Sequence, residues 1–368
     1  MNREVTPPSN LASRLIAGLV FGFVVMLGLM LVGDIRQVSQ LVMDFEWRLF
    51  PLVLGLTLFN YTLRFLKWHF YLGQIGVKNY PMRRSARLFV GGFPLAVTPG
   101  KVGEVLKAVW LKRECNVPIP TGVAVVAAER ISDGLAVLAL STLGVIVYPQ
   151  YWPAFAAVLA LLVGIIVVSQ IRPLALGILE LGEGLPLVRR FVPVLRDFYE
   201  GSFLLFRPKA TLLAVSLGTI SWLGEGIGFY LILIGLGVPT GWQTLLNSVF
   251  ILAFSTIVGA VSTLPGGLGA AEASITGMLM LLLDLDFSTA AAATLLIRFA
   301  TLWFGVILGL LVWARWPELL RLRQPTAESQ KPTAYSQQQT DHTQHEMPGA
   351  LQDSKGEGVK DCELKAEG

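Results

Sequence analysis

The chain is 368 residues long, 54% hydrophobic and only 15% charged, with a mean hydropathy of +0.62. A soluble domain carries roughly 25% charged residues, so a soluble fold is excluded and an integral membrane protein is expected. The formal net charge of +4 conceals a basic body, with 25 basic and 17 acidic residues in 1–323, followed by an acidic tail. The positive charge is spread over short loops in the pattern that sets topology, so nucleic acid is not an expected partner.

A cytoplasmic segment 1–11 precedes the first apolar run, 15–33. That run is too long for a signal peptide and no small-residue cleavage site follows it, so it is expected to stay as a helix. Further runs cover 49–66, 134–148, 154–171, 211–238, 243–264, 267–283 and 287–314, several close to the ~20 residues that cross a ~30 Å hydrocarbon core. The fold expected is all-α and polytopic, with about six full spans and two re-entrant hairpins. Loop 34–48 has two basic and three acidic residues and reads as external. Arg64, Lys67, Lys78, Arg83, Arg84 and Arg87 form an acid-free stretch, with Lys107, Lys112 and Arg113 soon after, so both ends of segment 84–113 read as cytoplasmic. Residues 88–98 as a helix cover only ~17 Å, which makes this segment a hairpin that enters and leaves on one side. Residues 172–209, with six basic residues, return to the inside, and the turn at Asp284 and Asp286 reads as external. From 324 to 368 the chain is polar, with 4 basic and 8 acidic residues, and is expected to be a disordered cytoplasmic tail.

Repetition adds a second layer. Pro99, Gly100 and Gly103 in "TPGKVGE" recur as Pro265, Gly266 and Gly269 in "LPGGLGAAE". Glu104 precedes Arg130 by 26 residues, and Glu272 precedes Arg298 by the same 26. By loop charge the first unit, about 49–148, enters from the cytoplasm and the second, about 211–314, from outside, which is an inverted-topology repeat of the kind that carries transporter sites near mid-membrane. Proline removes a donor and glycine permits a reversal, leaving half-helix N-termini able to hold a phosphate or carboxylate. Arg130 and Arg298 are candidates for a bidentate phosphate clamp. The competing reading makes them structural partners of Glu104 and Glu272, with Glu129, Arg130 and Asp133 an ion cluster. Arg64, Lys67 and Lys101 have the length to snorkel to headgroups. Glu225, in "SWLGEGIGF", is the ionisable residue of an otherwise uncharged span and a further candidate. Tyr and Trp at 148–152, 242 and 313–316 read as an interfacial belt.

Two cysteines, Cys115 and Cys362, and three histidines at unsuitable spacing offer no metal or disulfide framework, and no cofactor is expected. The segments "LRFLKWHFYL", "TPGKVGEVLKAVWLKR", "AAERISDGLAVL" and "LPGGLGAAEASITGML" followed by "LLIRF" resemble the lysylphosphatidylglycerol synthase transmembrane, or flippase-like, domain family over roughly 12–318. Full-length synthases join this domain to a soluble aminoacyltransferase domain, for which the 45 residues of the tail leave no room. The resemblance therefore implies the lipid-translocating half alone, in the cytoplasmic membrane, with the site at Arg64, Glu104, Glu129, Arg130, Asp133, Glu272, Arg298 and the two Pro-Gly turns. The function expected is transbilayer movement of a polar, phosphate-bearing lipid. The alternative is a scaffold that presents a lipid to a separately encoded glycosyl- or aminoacyltransferase.

Overall fold

A computed structural model describes residues 11–98, 103–147, 152–172, 177 and 192–319. Pro99, Gly100 and Lys101 of the first turn, Tyr148 and Tyr151 of the expected belt and the whole of the expected tail, 324–368, lie outside the described residues. The described chain is all-helical, and the protein is a polytopic membrane protein. Helix α1 spans Leu11–Val32, α2 Ile35–Met43 and α3 Phe50–Gln74. The first hairpin follows as α4 (Met82–Gly91), a 3-10 turn (Phe93–Val97) and α5 (Val105–Cys115), and α6 (Ile119–Val147) closes the unit. After α7 (Trp152–Gln170) and α8 (Val192–Leu205), the second unit comprises α9 (Pro208–Gly235), α10 (Trp242–Val261), the Pro265–Gly267 turn, α11 (Ala270–Leu283) and α12 (Phe287–Arg298). A π-helical turn, Phe299–Trp303, joins α12 to α13 (Phe304–Arg315).

Four boundaries differ from expectation, each for a physical reason. The 34–48 loop, expected to be external, contains α2, an amphipathic helix capped when the Asp34 carboxylate accepts from the Arg36 amide at 3.0 Å. Helix α6 starts 15 residues before the apolar run at 134, because Glu129, Arg130 and Asp133 interrupt hydropathy without interrupting helix. The segment expected as a helix over 88–98 changes to a 3-10 turn at Phe93, where Pro94 withholds a donor. The second hairpin is unequal: α10 has 20 residues, ~30 Å and enough to cross, whereas α11 has 14, ~21 Å.

Packing is reciprocal between the units. The first hairpin's α4 and 3-10 turn lie on α13, which closes the second unit, while the second hairpin's α10 lies on α6, which closes the first. The two hairpin turns, Phe93–Val97 and Pro265–Gly267, touch each other. Helix α1 crosses the first turn so closely that a Cβ on Gly18 would lie 2.0 Å from the Val97 carbonyl oxygen. Trp313 is not an interfacial residue: it is buried, and its indole N–H donates to the Gly91 carbonyl at 2.8 Å. Trp242 is 71% exposed.

Two apolar cores result. One gathers Trp68, Tyr71, Leu88, Phe89, Leu95, Trp110 and Val125; the other gathers Phe45, Phe50, Val53, Leu138, Phe229, Phe250 and Ile275. On α3 the interval between them holds Asn60, Arg64 and Lys67; on α6 it holds Glu129 and Asp133; on α9 it holds Ser221 and Glu225. A polar layer is thus placed between two greasy ones.

Candidate functional site

Helical periodicity builds this layer. Asn60, Arg64 and Lys67 recur at i, i+4 and i+7 on one face of α3, Glu129 and Asp133 at i, i+4 on α6, and Glu104 and Lys107 at i, i+3 where α5 begins. Helices α3 and α5 both pack against α6, so the three faces converge.

Glu129 is fully buried and collects three cations: Arg130 Nη2 at 3.0 Å and Arg64 Nη2 at 3.2 Å on Oε1, and Lys107 Nζ at 3.4 Å on Oε2. Lys67 donates to Oδ1 of Asp133, and Arg64 Nη2 stands 3.3 Å from Oδ2. Arg130 Nε lies 3.2 Å from Glu104 Oε2, an ion pair without hydrogen-bond alignment. Lys107 also sits over the rings of Trp68 and Phe89, at 5.2 and 5.1 Å, and Arg64 over Trp222 at 5.8 Å. Charges buried away from water are costly unless neutralised, and this mutual pairing is what lets α3 and α6 carry them inside a membrane body. Four cations face three carboxylates, and Arg130 leaves 38% of its side chain exposed while Glu129 leaves none.

The second unit is much simpler. Arg298 Nε pairs with Glu272 Oε1 at 2.5 Å, and its Nη2 donates to the Gly266 carbonyl at 3.0 Å. The other Glu272 oxygen accepts from the Gly269 amide at 2.6 Å. Gly266, Gly267 and Gly269 all have positive φ, at +60°, +67° and +86°, the left-handed region that glycine enters freely. The N-terminus of α11, expected to be open to an anion, is therefore occupied by the protein's own Glu272 carboxylate. At the first turn the solution differs: the Gly103 amide donates to Thr98 Oγ1 at 3.0 Å, no side chain caps α5, and Glu104 turns away toward Arg130.

The structure thus gathers Arg64, Glu104, Glu129, Arg130 and Asp133 at one site and Gly266, Gly269, Glu272 and Arg298 at another, with Pro265 opening the second turn. It does not pair Arg130 with Asp133 at i, i+3; Asp133 goes to α3 instead. Lys67, with the length to snorkel, is fully buried, and Lys107, placed above among the loop cations, is a member of the cluster. Their signal was available in helical spacing: each sits one turn from another charged residue on a face shared with it. Glu225 is buried and forms no ion pair with any described residue, yet lies within Coulombic reach of Arg64, Asp133 and Arg298. No group of His, Cys, Asp and Glu among the described residues is arranged to hold a metal.

A helical membrane protein whose two helix–break–helix units meet at a layer of paired charges is the class these features define. Within it, the chain belongs to the lysylphosphatidylglycerol synthase TM region family, which matches residues 15–309. Relatives include a UPF0104 membrane protein of Methanothermobacter thermautotrophicus, 25% identical over 290 residues that cover 72% of this chain and 82% of the relative. UPF0104 membrane protein PH1989 of Pyrococcus horikoshii is 23% identical over 318 residues, 79% of this chain and 94% of its own. UPF0104 membrane protein MJ1078 of Methanocaldococcus jannaschii is 24% identical over 232 residues, 59% and 93%.

Proposed function

We propose that this protein moves a lipid with a phosphate-bearing headgroup across the membrane, and that the headgroup is held at the first unit's charge cluster. The observation that carries the reading is the convergence of Arg64, Lys67, Lys107 and Arg130 on three carboxylates near the middle of α3 and α6, with Arg130 partly exposed. A surplus cation, a guanidinium fork and an α5 N-terminus without a side-chain cap suit a phosphate. Arg298 is less suited, because only 13% of its side chain is exposed, against 38% for Arg130, and no surplus cation stands beside its pair with Glu272.

In this reading the hairpins are re-entrant from opposite faces of the cytoplasmic membrane, both termini are cytoplasmic, and the reciprocal packing of α4 on α13 and α10 on α6 is the imprint of an inverted repeat. Rocking of one unit against the other about the touching turns would expose the cluster to each leaflet in turn. The test is movement of headgroup-labelled phosphatidylglycerol in liposomes containing the purified protein. Movement faster than in protein-free vesicles, and faster than that of a sugar-headed lipid without phosphate, supports the proposal. Tight lipid binding with no movement would favour a scaffold that presents lipid to a transferase.

The orientation has its own test. Single cysteines at 78, 112 and 284, probed with an impermeant thiol reagent on intact cells, should label only at 284. Both native cysteines, Cys115 and Cys362, are replaced first; burial, then the Glu114 carboxylate, push the Cys115 thiol up to about 12, so its loss removes no charge at neutral pH.

A further inference from the structure

Two buried polar side chains take no part in the ion pairs of the layer, and they come from different units. Asn60 on α3 is completely buried, and neither its amide nitrogen nor its amide oxygen has a hydrogen-bond partner among the described residues. Glu225 on α9 is 5% exposed and forms no ion pair with any described residue. Burying a polar group unsatisfied costs about 1–3 kcal/mol, so Asn60 calls for an explanation, and a buried carboxyl without a cation partner in the same layer calls for one too.

Register puts them at the same level. Helices α3 and α9 make the most extensive helix–helix contact among the described residues. A Cβ on Gly224 would meet the Phe59 ring at 3.3 Å, and one on Gly228 would meet Val53 and Leu56 at 3.6 and 3.9 Å. The helices therefore run antiparallel here, and Asn60 stands beside the turn of α9 that carries Ser221 and Glu225. Asn60 is flanked by Tyr61 and Arg64, both within Coulombic reach of Glu225. The charged or titratable groups that face Glu225 are Tyr61 and Arg64 from α3, Asp133 from α6 and Arg298 from α12; α10, which also packs on α9, has none along its length.

The charge count of the layer gives this pair a task. Among the described residues, Arg64, Lys67, Lys107, Arg130 and Arg298 face Glu104, Glu129, Asp133 and Glu272 in direct ion pairs, which leaves one positive charge over. An ionised Glu225 cancels it. If an anion occupies the cluster while Glu225 stays ionised, the same layer carries one negative charge too many, a state that is costly in a low-dielectric interior. One proton on Glu225 restores neutrality.

We propose that Glu225, with Asn60 opposite it, is a proton-binding site between the two units, and that proton uptake there accompanies occupation of the neighbouring cluster by an anionic headgroup. The step is a simple one: the Glu225 carboxylate takes a proton from water and becomes a carboxylic acid. Asn60 has the groups for both states, an N–H₂ able to donate to the carboxylate and a C=O able to accept from the acid O–H, and both are unspent on any described residue. The site itself stands on burial, register and charge count; only its link to lipid rests on the function proposed above. By linkage, whatever favours the proton must favour the anion equally.

The test is infrared difference spectroscopy of the full chain in detergent across a pH titration, reading the high-frequency C=O stretch of a carboxylic acid shielded from water, which the chain's solvated carboxyls do not give. Wild type should gain such a band as pH falls, Glu225→Gln should lack it, and Asn60→Ala should shift its frequency. Glu225→Gln is isosteric and should elute and melt as wild type does; if it misfolds, Glu225→Asp should move the band in place of removing it. A band that persists unchanged in both Glu225 variants, or its absence from wild type at every pH, overturns the site. Adding dioleoylphosphatidylglycerol at fixed pH should enlarge the band. If the band titrates with pH but ignores this lipid, the proton site stands and the proposed lipid link falls.

Discussion

The two helix–break–helix units share a motif and its spacing but use them differently. In the first, the Glu104–Arg130 pair is one edge of a seven-residue network that also joins α3 through Arg64 and Lys67. In the second, Glu272 and Arg298 fold back on their own turn, bonding Gly269 N–H and Gly266 C=O, so the pair is self-contained. Equal spacing along the chain thus fixed only that an acid and an arginine would meet. What surrounds them decides whether they brace a turn or form a site. The glycines teach the same lesson: Gly269 is required by its φ of +86°, whereas a Cβ on Gly103 would lie 2.5 Å from Thr98 Oγ1.

The largest difference should appear on neutralising one acid in each unit. Glu129→Gln leaves three cations around a neutral amide and should cost about 3–5 kcal/mol, enough to abolish a stable detergent-purified fold. Glu272→Gln strands one arginine that retains its Gly266 bond and should cost about 1–3 kcal/mol, seen as a lower but measurable melting temperature. Equal losses would show that the first network is no more than a second copy of the strut.

Next come the matched glycines. Gly269→Ala forces an L residue into the left-handed region at about 1–2 kcal/mol, and no second substitution should relieve it. Gly103→Ala should be destabilising through its neighbour, and Thr98→Ala in the same chain should recover about 1 kcal/mol, net of the hydrogen bond that Thr98 supplies. Additivity in the Gly103 and Thr98 double variant, read by thermal melting, would mean that the two turns are built alike after all. The smallest effect belongs to Trp242→Ala, an exposed residue in neither unit's site, which should leave melting within about 0.5 kcal/mol of wild type.

Sequence alone carried the long helices, because apolar runs of bilayer length leave few alternatives. It also carried the Glu–Arg pairings, because duplication at one spacing is itself a constraint. It failed where charge and helix coincide: the start of α6 and the burial of Lys67 were hidden by the ionic residues that make them interesting. Three of the cations that seemed to mark cytoplasmic loops, Arg64 and Lys67 on α3 and Lys107 on α5, belong to the charge cluster; Lys78, Arg83, Arg84, Arg87, Lys112 and Arg113 remain for that argument. The meeting of the two turns, and of Arg64 with Asp133, joins residues far apart in the chain, and no local pattern encodes such contacts.

The central claim is that the first cluster holds the headgroup while the second pair only braces. Arg130→Lys and Arg298→Lys, reconstituted side by side, test it most directly, because lysine keeps the charge and loses the planar fork. Arg130→Lys should melt near wild type yet move labelled phosphatidylglycerol at least several-fold more slowly. Arg298→Lys, which cannot span Glu272 and Gly266 as the guanidinium does, should melt earlier while each folded molecule moves lipid at a near-normal rate. If Arg298→Lys instead slows lipid movement at an unchanged melting temperature, or Arg130→Lys merely lowers stability, the roles assigned to the two units are wrong.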